Sequence, residues 1–254
     1  VIADHAFFAE HGWLVVRNAV AAERVAELAR VVDEIFGAWP AAHWRPGEVW
    51  ELANVSRGAP AIAAHVRDAA IAERVAAALG CARVQLLQDT VLVKPPRSAA
   101  TVAWHQDHTY TGYVERVATV RLALTADTVE SGCLEVMDRS HLAGAIGEVR
   151  ALTESRVVDA LAGSVGAADA ADGQRIIAVE LAPGDIRIHH CLTLHRSGDN
   201  RSDAARKTLV TRIFDASCTL RPERLPAGAA AHFPTTATGH LAESAFPRLW
   251  PPAI

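Results

Sequence analysis

Lysine is nearly absent from this 254-residue chain. Only Lys94 and Lys207 accompany 23 arginines, and with 29 acidic residues the formal net charge is −4. No basic block interrupts that balance, which gives no electrostatic footing for a nucleic-acid or membrane-surface partner. No run approaches the roughly 18 consecutive apolar residues of a membrane span. The first twenty residues carry Asp4, Glu10 and Arg17 and no apolar h-region, so no secretory leader is expected. The four cysteines, Cys81, Cys133, Cys191 and Cys218, lie far apart and form no CxxC. That excludes a sequence-evident disulfide framework and points to a reducing, cytoplasmic setting. Large side chains are sparse as well: there are two tyrosines and one methionine, while 51 alanines supply much of the 50% apolar content. The arginine and alanine excess reads as the imprint of GC-rich coding rather than of function.

What is present is a change of period. Residues 3–11 suit a short helix, Gly12 a stop and Trp13–Val16 a strand. In the stretch 21–36, Val25, Leu28, Val32 and Ile35 fall on one helical face. Residues 37–50 are irregular and hold Trp39, His43, Trp44, Arg45 and Trp50. A second helix is expected over 69–79, with Gly80 as its C′ residue. After Gly80 the period becomes two, with strands expected at 83–93, 101–106, 117–125, 133–137, 175–181, 185–191 and 207–214. This pattern predicts a mainly β fold, a barrel or sandwich, with flanking α-helices. We read one domain over 1–254. Residues 1–80 form a helical layer and N-terminal cover, 81–216 a barrel interrupted at about 142–174 by a lid-like insertion, and 217–254 an extended tail.

The chemistry concentrates in Trp104-His105-Gln106-Asp107-His108-Thr109-Tyr110. His105 and Asp107 stand at i and i+2, so an extended strand turns both to one face. Alone this is weak, because a chain with 12 histidines and 29 acidic residues yields roughly one such pair by chance. Downstream, Pro183-Gly184-Asp185 turns into a strand ending at His189-His190, followed by His195-Arg196-Ser197 and, eleven residues after His195, Arg206. Two histidines and one carboxylate form a facial triad with open positions, the donor set suited to non-haem Fe(II). An arginine on a neighbouring strand can grip a carboxylate through its planar fork.

With these motifs in order, the chain resembles the phytanoyl-CoA dioxygenase-like Fe(II)/2-oxoglutarate oxygenases over nearly its whole length. The similarity runs from Phe8–Gly12 through Gln88-Asp89, Lys94-Pro95-Pro96, Trp104–Asp107, Ser131-Gly132-Cys133-Leu134 and Ser140-His141 to His195–Arg206. It implies a double-stranded β-helix, a jelly-roll or cupin-like barrel. It also implies His105, Asp107 and His195 as iron ligands and Arg206 as partner of the distal 2-oxoglutarate carboxylate. Ser197 matches a position touching that carboxylate, and Gln88 and Thr90 match cofactor or substrate contacts. The implied cofactors are Fe(II), 2-oxoglutarate as co-substrate and O2. The implied partner is a small-molecule substrate, with an anionic group as one option. Because Asp107 is present where related halogenases carry Gly or Ala, hydroxylation of an unactivated C–H is expected, in secondary-metabolite or amino-acid-derivative metabolism.

His108 and Tyr110, directly after the metal motif, are expected at the pocket mouth, and Trp44 in the N-terminal cover. Lys94 is read as structural, and His189 and His190 as packing residues or supports of the ligands. In 119–124 the apolar set Val120, Leu122 and Leu124 defines one face, and Thr119, Arg121 and Ala123 look into the barrel. Arg121 stands where related sequences often have Trp. It is either solvated at the barrel mouth or a ligand for an anionic group on substrate or cofactor, and Arg212 poses the same question. Desaturation, cyclisation or epimerisation could run at the same centre. A non-oxidising metal-binding cupin, either an isomerase or a ligand sensor, is the alternative of another class. A zinc hydrolase gains nothing from the sequence, which has no HExxH.

Overall fold

Alternating strands bury two different sets of side chains, and the computed structural model, which describes residues 2–38, 48–146, 175–225 and 227–252, shows what each face meets. In chain order the elements are α1 (Ile2–His11), β1 (Trp13–Val16), α2 (Ala22–Ala38), β2 (Trp50–Ala53), α3 (Pro60–Val66) and α4 (Ala69–Leu79). They continue with β3 (Val84–Lys94), β4 (Val102–His105), α5 (His108–Thr111), β5 (Val117–Ala123), β6 (Leu134–Met137) and β7 (Ile176–Val179). The last are β8 (Ile186–His190), β9 (His195–Ser197), β10 (Arg206–Asp215) and β11 (Arg248–Trp250). Among the described residues no helix is long and apolar enough to cross a membrane.

The strands form a seven-stranded sheet, ordered β1-β8-β5-β10-β3-β11 with β2 also on β3, and a four-stranded sheet ordered β4-β9-β6-β7. All the named pairings are antiparallel, and β8-β5-β10-β3 faces β4-β9-β6-β7 as the two halves of a double-stranded β-helix. The large apolar core lies outside this barrel. Val25, Leu28 and Val32 of α2, Ile62 of α3 and Val75 of α4 pack against Val91, Val93, Val120, Leu122, Ile186, Ile188, Leu209 and Ile213 from the outer face of the larger sheet. Period-two geometry then turns the alternate residues inward: Gln88, Thr90, Thr119, Arg121, Arg206 and Arg212 line the interior cavity. One set of strands thus separates a hydrophobic layer that stabilises the fold from a polar interior that can do chemistry.

Local signals account for most boundaries. The Asp68 carboxylate caps α4 by accepting from the amides of Ala70 and Ile71, and Gly80 closes the helix in the left-handed region at φ 62°. On α2 the buried residue after Val32 is Phe36 rather than Ile35, which is partly buried and packed at the margin of the core. The strand at 50–53 was not expected from sequence. It forms because Trp50 stacks on Phe36 while the backbone pairs with β3. The lid-like insertion beyond residue 146, and Trp39, His43, Trp44 and Arg45, lie outside the described residues.

The stretch after β10 is tied to the barrel by buried polar contacts. Gln85 Nε2 donates to the carbonyls of Leu241 (3.3 Å) and Phe246 (2.8 Å), and the Leu86 amide donates to Pro247 O (2.9 Å). Replacing a buried donor leaves both carbonyls unsatisfied. Gln85→Leu is therefore expected to cost about 1–3 kcal/mol in denaturant unfolding. Limited proteolysis should then cut between residues 219 and 247 before it cuts the barrel strands.

Candidate active site

Three ligand atoms, one each from His105, Asp107 and His195, lie within 4.8 Å of one another, and all three residues are buried. β4 and β9 create this closeness by pairing His105 directly with His195, so that the imidazoles sit 4.2 Å apart at their centroids. Each ring donates through Nδ1 to the carbonyl two residues before it, His105 to Ala103 (2.9 Å) and His195 to Thr193 (2.9 Å). That fixes the tautomer and turns both Nε2 lone pairs toward Asp107 Oδ1, 3.9 Å from each. Burial, with the neighbouring His105 and His189, holds His195 well below the usual histidine range and so keeps it neutral. Two imidazole Nε2 atoms and a carboxylate facing a cavity fit a divalent metal with open positions, Fe(II) above all.

Asp107 is oriented by its other oxygen. Oδ2 accepts from Thr119 Oγ1 at 2.6 Å and from His189 Nε2 at 3.2 Å. Burial alone would raise this carboxyl's pKa, but Arg212, 3.5 Å from Oδ1, and the His189 hydrogen bond outweigh it and hold the group well below the carboxylate range. His189 is in turn fixed by Arg187, whose Nη2 donates to His189 Nδ1 at 3.2 Å. Burial and then the Arg187 charge push His189 down to about 4, so it is neutral and presents its Nε2 proton to Asp107. The reading of His189 as a support rather than a ligand agrees with this placement.

A second cluster lies farther along the same strands. Arg206, 2% exposed, donates to the Gly132 carbonyl and lies 3.5 Å from Asp127 Oδ1, while Arg121 Nε reaches Asp127 Oδ2 at 3.2 Å. Gly132 adopts φ +72°, and a Cβ there would run into the carbonyl oxygens of Gly198 and Asp199, so glycine is needed where these segments meet. Lys94, opposite Arg206 in the β3–β10 register, donates to Ser197 Oγ (3.0 Å) and to the Gly198 carbonyl. Burial, followed by the Arg206 and Arg121 charges, lowers Lys94 to about 7. Arg206 is likewise lowered to about 10, and its Nε has no partner among the described residues.

One cavity of about 540 Å³ joins the two clusters, and the predicted residues Gln88, Thr90, His105, Asp107, Tyr110, Arg121, His195, Ser197 and Arg206 all line it. Arg121 is not solvated at the mouth: it is 3% exposed and shares Asp127 with Arg206. His108 is a correction. The chain leaves β4 and begins the α5 turn at His108, so strand alternation ends; Tyr110 and Thr111 reach the cavity, while His108 is not among its lining residues. Its charged neighbours are Arg224, Arg221 and Glu115. Trp44 lies outside the described residues. Sequence reading missed Lys94, although counting in twos from Gln88 and Thr90 reaches it. It also missed Arg187, Asp127, Tyr113 and Phe233; the last comes from an aperiodic stretch with no local signal.

Comparison with known proteins agrees with this arrangement. The chain is 27% identical over 156 residues to phytanoyl-CoA dioxygenase domain-containing protein 1 of Bos taurus, an alignment covering 58% of this chain and 51% of that protein. It thus spans about half the length of the curated relative it matches. Among solved structures it is similar to SnoK, a non-heme alpha ketoglutarate dependent carbocyclase from nogalamycin biosynthesis (TM-score 0.78, 22% identity, 97% of this chain and 95% of the other). It is also similar to the epimerase SnoN of the same biosynthesis (TM-score 0.75, 21% identity, 97% of both chains). At these identities the structural likeness is one of fold. The family model for phytanoyl-CoA dioxygenase matches residues 8–208, most of the chain, and the protein belongs to the phytanoyl-CoA dioxygenase (PhyH) family.

Proposed function

We propose that this protein is an Fe(II)- and 2-oxoglutarate-dependent dioxygenase that hydroxylates an unactivated C–H bond of a small molecule. The observation that carries the reading is a single cavity with a two-histidine, one-carboxylate cluster on one side and a buried cationic pocket on the other. Bound at His105, Asp107 and His195, Fe(II) would supply the redox chemistry that consumes 2-oxoglutarate and O2 and releases succinate and CO2. Arg206 offers a guanidinium fork to the distal carboxylate of 2-oxoglutarate. Lys94 donates to Ser197 Oγ, which leaves the Ser197 hydroxyl proton free to donate to the same carboxylate. Arg121 holds Asp127 so that this one carboxylate balances two arginines without entering the cavity. Thr119 and His189 hold Asp107 in one orientation, and Gln88 and Thr90 shape the wall between the clusters.

Asp107, present where related halogenases carry Gly or Ala, argues against halogenation and leaves hydroxylation as our first reading. Cyclisation or epimerisation at the same centre is a second reading, supported by the likeness to SnoK and SnoN over nearly their whole length. Secondary-metabolite or amino-acid-derivative metabolism remains the proposed setting and the cytoplasm the proposed location.

Anaerobic addition of Fe(II) and 2-oxoglutarate should produce the weak visible charge-transfer band of the chelate. Its absence in metal-loaded wild type would overturn the reading. Arg206→Ala removes charge-assisted hydrogen bonds of about 1.5–3 kcal/mol, so the apparent Kd for 2-oxoglutarate should rise roughly ten- to hundredfold while Fe(II) still binds. The Lys94 pKa near 7 adds a pH dependence with a definite sign. A dianion beside Lys94 favours its charged form, so binding above about pH 7 takes up a proton and affinity for 2-oxoglutarate falls as pH rises through that value. Titrations from pH 6 to 9 should show this slope in wild type and a flatter one in Lys94→Met.

A further inference from the structure

The barrel interior has more basic groups than one dianion uses. Lys94, Arg121, Arg187, Arg206 and Arg212 make five, against the two carboxylates Asp107 and Asp127. On the dioxygenase reading, which this inference rests on, the two charges of Fe(II) and those of 2-oxoglutarate cancel, so the basic surplus remains. Lys94 and Arg187 are not among the cavity's lining residues: Lys94 is on Ser197 and Arg187 on His189, with the Arg187 Nε and Nη1 lacking a partner among the described residues. Arg121 and Arg206 line the cavity and share Asp127, and Arg212 lines it at the other end with Asp107 as the one carboxylate in reach.

Arg206 and Arg212 point to the same side of β10, six residues and roughly 20 Å of strand apart. Lys94 and Ser197 sit at the Arg206 end, and Asp107 at the Arg212 end. A 2-oxoglutarate reaching from the triad to Arg206 therefore leaves the Arg212 end to another molecule. There the Arg212 side chain, 18% exposed, has two polar neighbours: Nη1 donates to Gln88 Oε1 at 3.1 Å, and Nη2 lies 3.5 Å from Asp107 Oδ1. Its Nε is buried and has no partner among the described residues. Gln88 carries no charge, so Asp107 is the one carboxylate within reach, and a divalent metal bound there would share it. A metal-loaded site thus leaves Arg212 with only part of a counterion in a place where an uncompensated charge is costly.

The walls around it are apolar and aromatic. Tyr113 packs edge-on to Phe233 at 4.8 Å between centroids, and Tyr110 stands edge-on to His105 at 6.0 Å. Glu51, the other carboxylate on the cavity wall, is exposed and pairs with Leu92, four residues along β3 from Gln88. It is roughly 13 Å of strand away, too far to neutralise Arg212 directly.

From this arrangement we propose that Arg212, seated by Gln88, holds the carboxylate of an acidic small-molecule substrate at the end of the cavity opposite Arg206. The aromatic pair covers the body of that molecule, and a C–H near its acid group is presented to the triad. Arg212 is then the specificity-determining residue, choosing acids over their neutral counterparts.

The test uses the whole protein with Fe(II) and 2-oxoglutarate under nitrogen, and matched pairs of carboxylic acids and their primary amides as probes: 3-phenylpropionate, 4-phenylbutyrate and hexanoate with their amides. The charge-transfer band is recorded first, and binding of each probe is then followed by ligand-observed NMR. In wild type at least one acid should bind about tenfold more tightly than its amide. Arg212→Gln should erase that preference when compared at Fe(II) and 2-oxoglutarate concentrations that give it the full band. Arg212→Lys, which keeps the charge but not the fork, should retain part of it and serves if the glutamine variant loses the band. A normal band with no acid preferred in wild type, or a preference that survives Arg212→Gln, overturns the assignment alone. A missing band in wild type overturns the dioxygenase reading, and the assignment with it.

Discussion

Asp127 is the hinge of the barrel's electrostatics. It is 1% exposed, and its two oxygens face Arg121 and Arg206, so that one carboxylate stands between two guanidinium groups in a space with almost no water. Neither arginine would be stable there alone, since a buried charge without a partner is among the costliest features a fold can carry. The compensation is incomplete by design of the inventory: Arg206 Nε and Arg121 Nη2 find no partner among the described residues. A pocket left short of negative charge favours an anion. The reciprocal backbone bridge between Asp127 and Leu181 holds Asp127 itself in place.

This arrangement is tolerable because stability is generated elsewhere. Helices α2, α3 and α4 cover the outer face of the larger sheet with a layer rich in valine and alanine, and that sheet's strands carry most of their Val, Ile and Leu on that side. Alanine's small side chain lets the helices lie close to the sheet, which gives the compositional excess a structural use whatever its origin. The interior is then released from the need to be apolar.

Much of this was legible in the sequence. Period-two spacing located seven of the eight barrel strands to within one or two residues and missed β9 (His195–Ser197), too short at three residues to show a period, while the alternation in Val117–Ala123 turned Val120 and Leu122 outward and Thr119 and Arg121 inward. The His105–Asp107 spacing and the position of Arg206 after His195 foretold the two clusters. What failed did so for identifiable reasons. His108 was misplaced because a helical turn starts there and breaks the alternation. Lys94 was taken for a turn residue because Pro95 and Pro96 hide the fact that β3 runs on to meet Arg206. Phe233 and Tyr113 meet through tertiary contact alone, which no local pattern encodes.

That last pair joins two parts of the molecule that are held in different ways. The triad, the cationic pocket and their supports all stand on paired barrel strands or on turns locked to them, where a single replacement disturbs several partners at once. Phe233 stands in a segment of short turns, fastened through Gln85 and β11 but not woven into the sheet. Such a segment can exchange side chains, lengthen or shorten without unsettling the ligands. One stretch of the cavity wall can therefore be reshaped at little cost to the sheets that hold the triad.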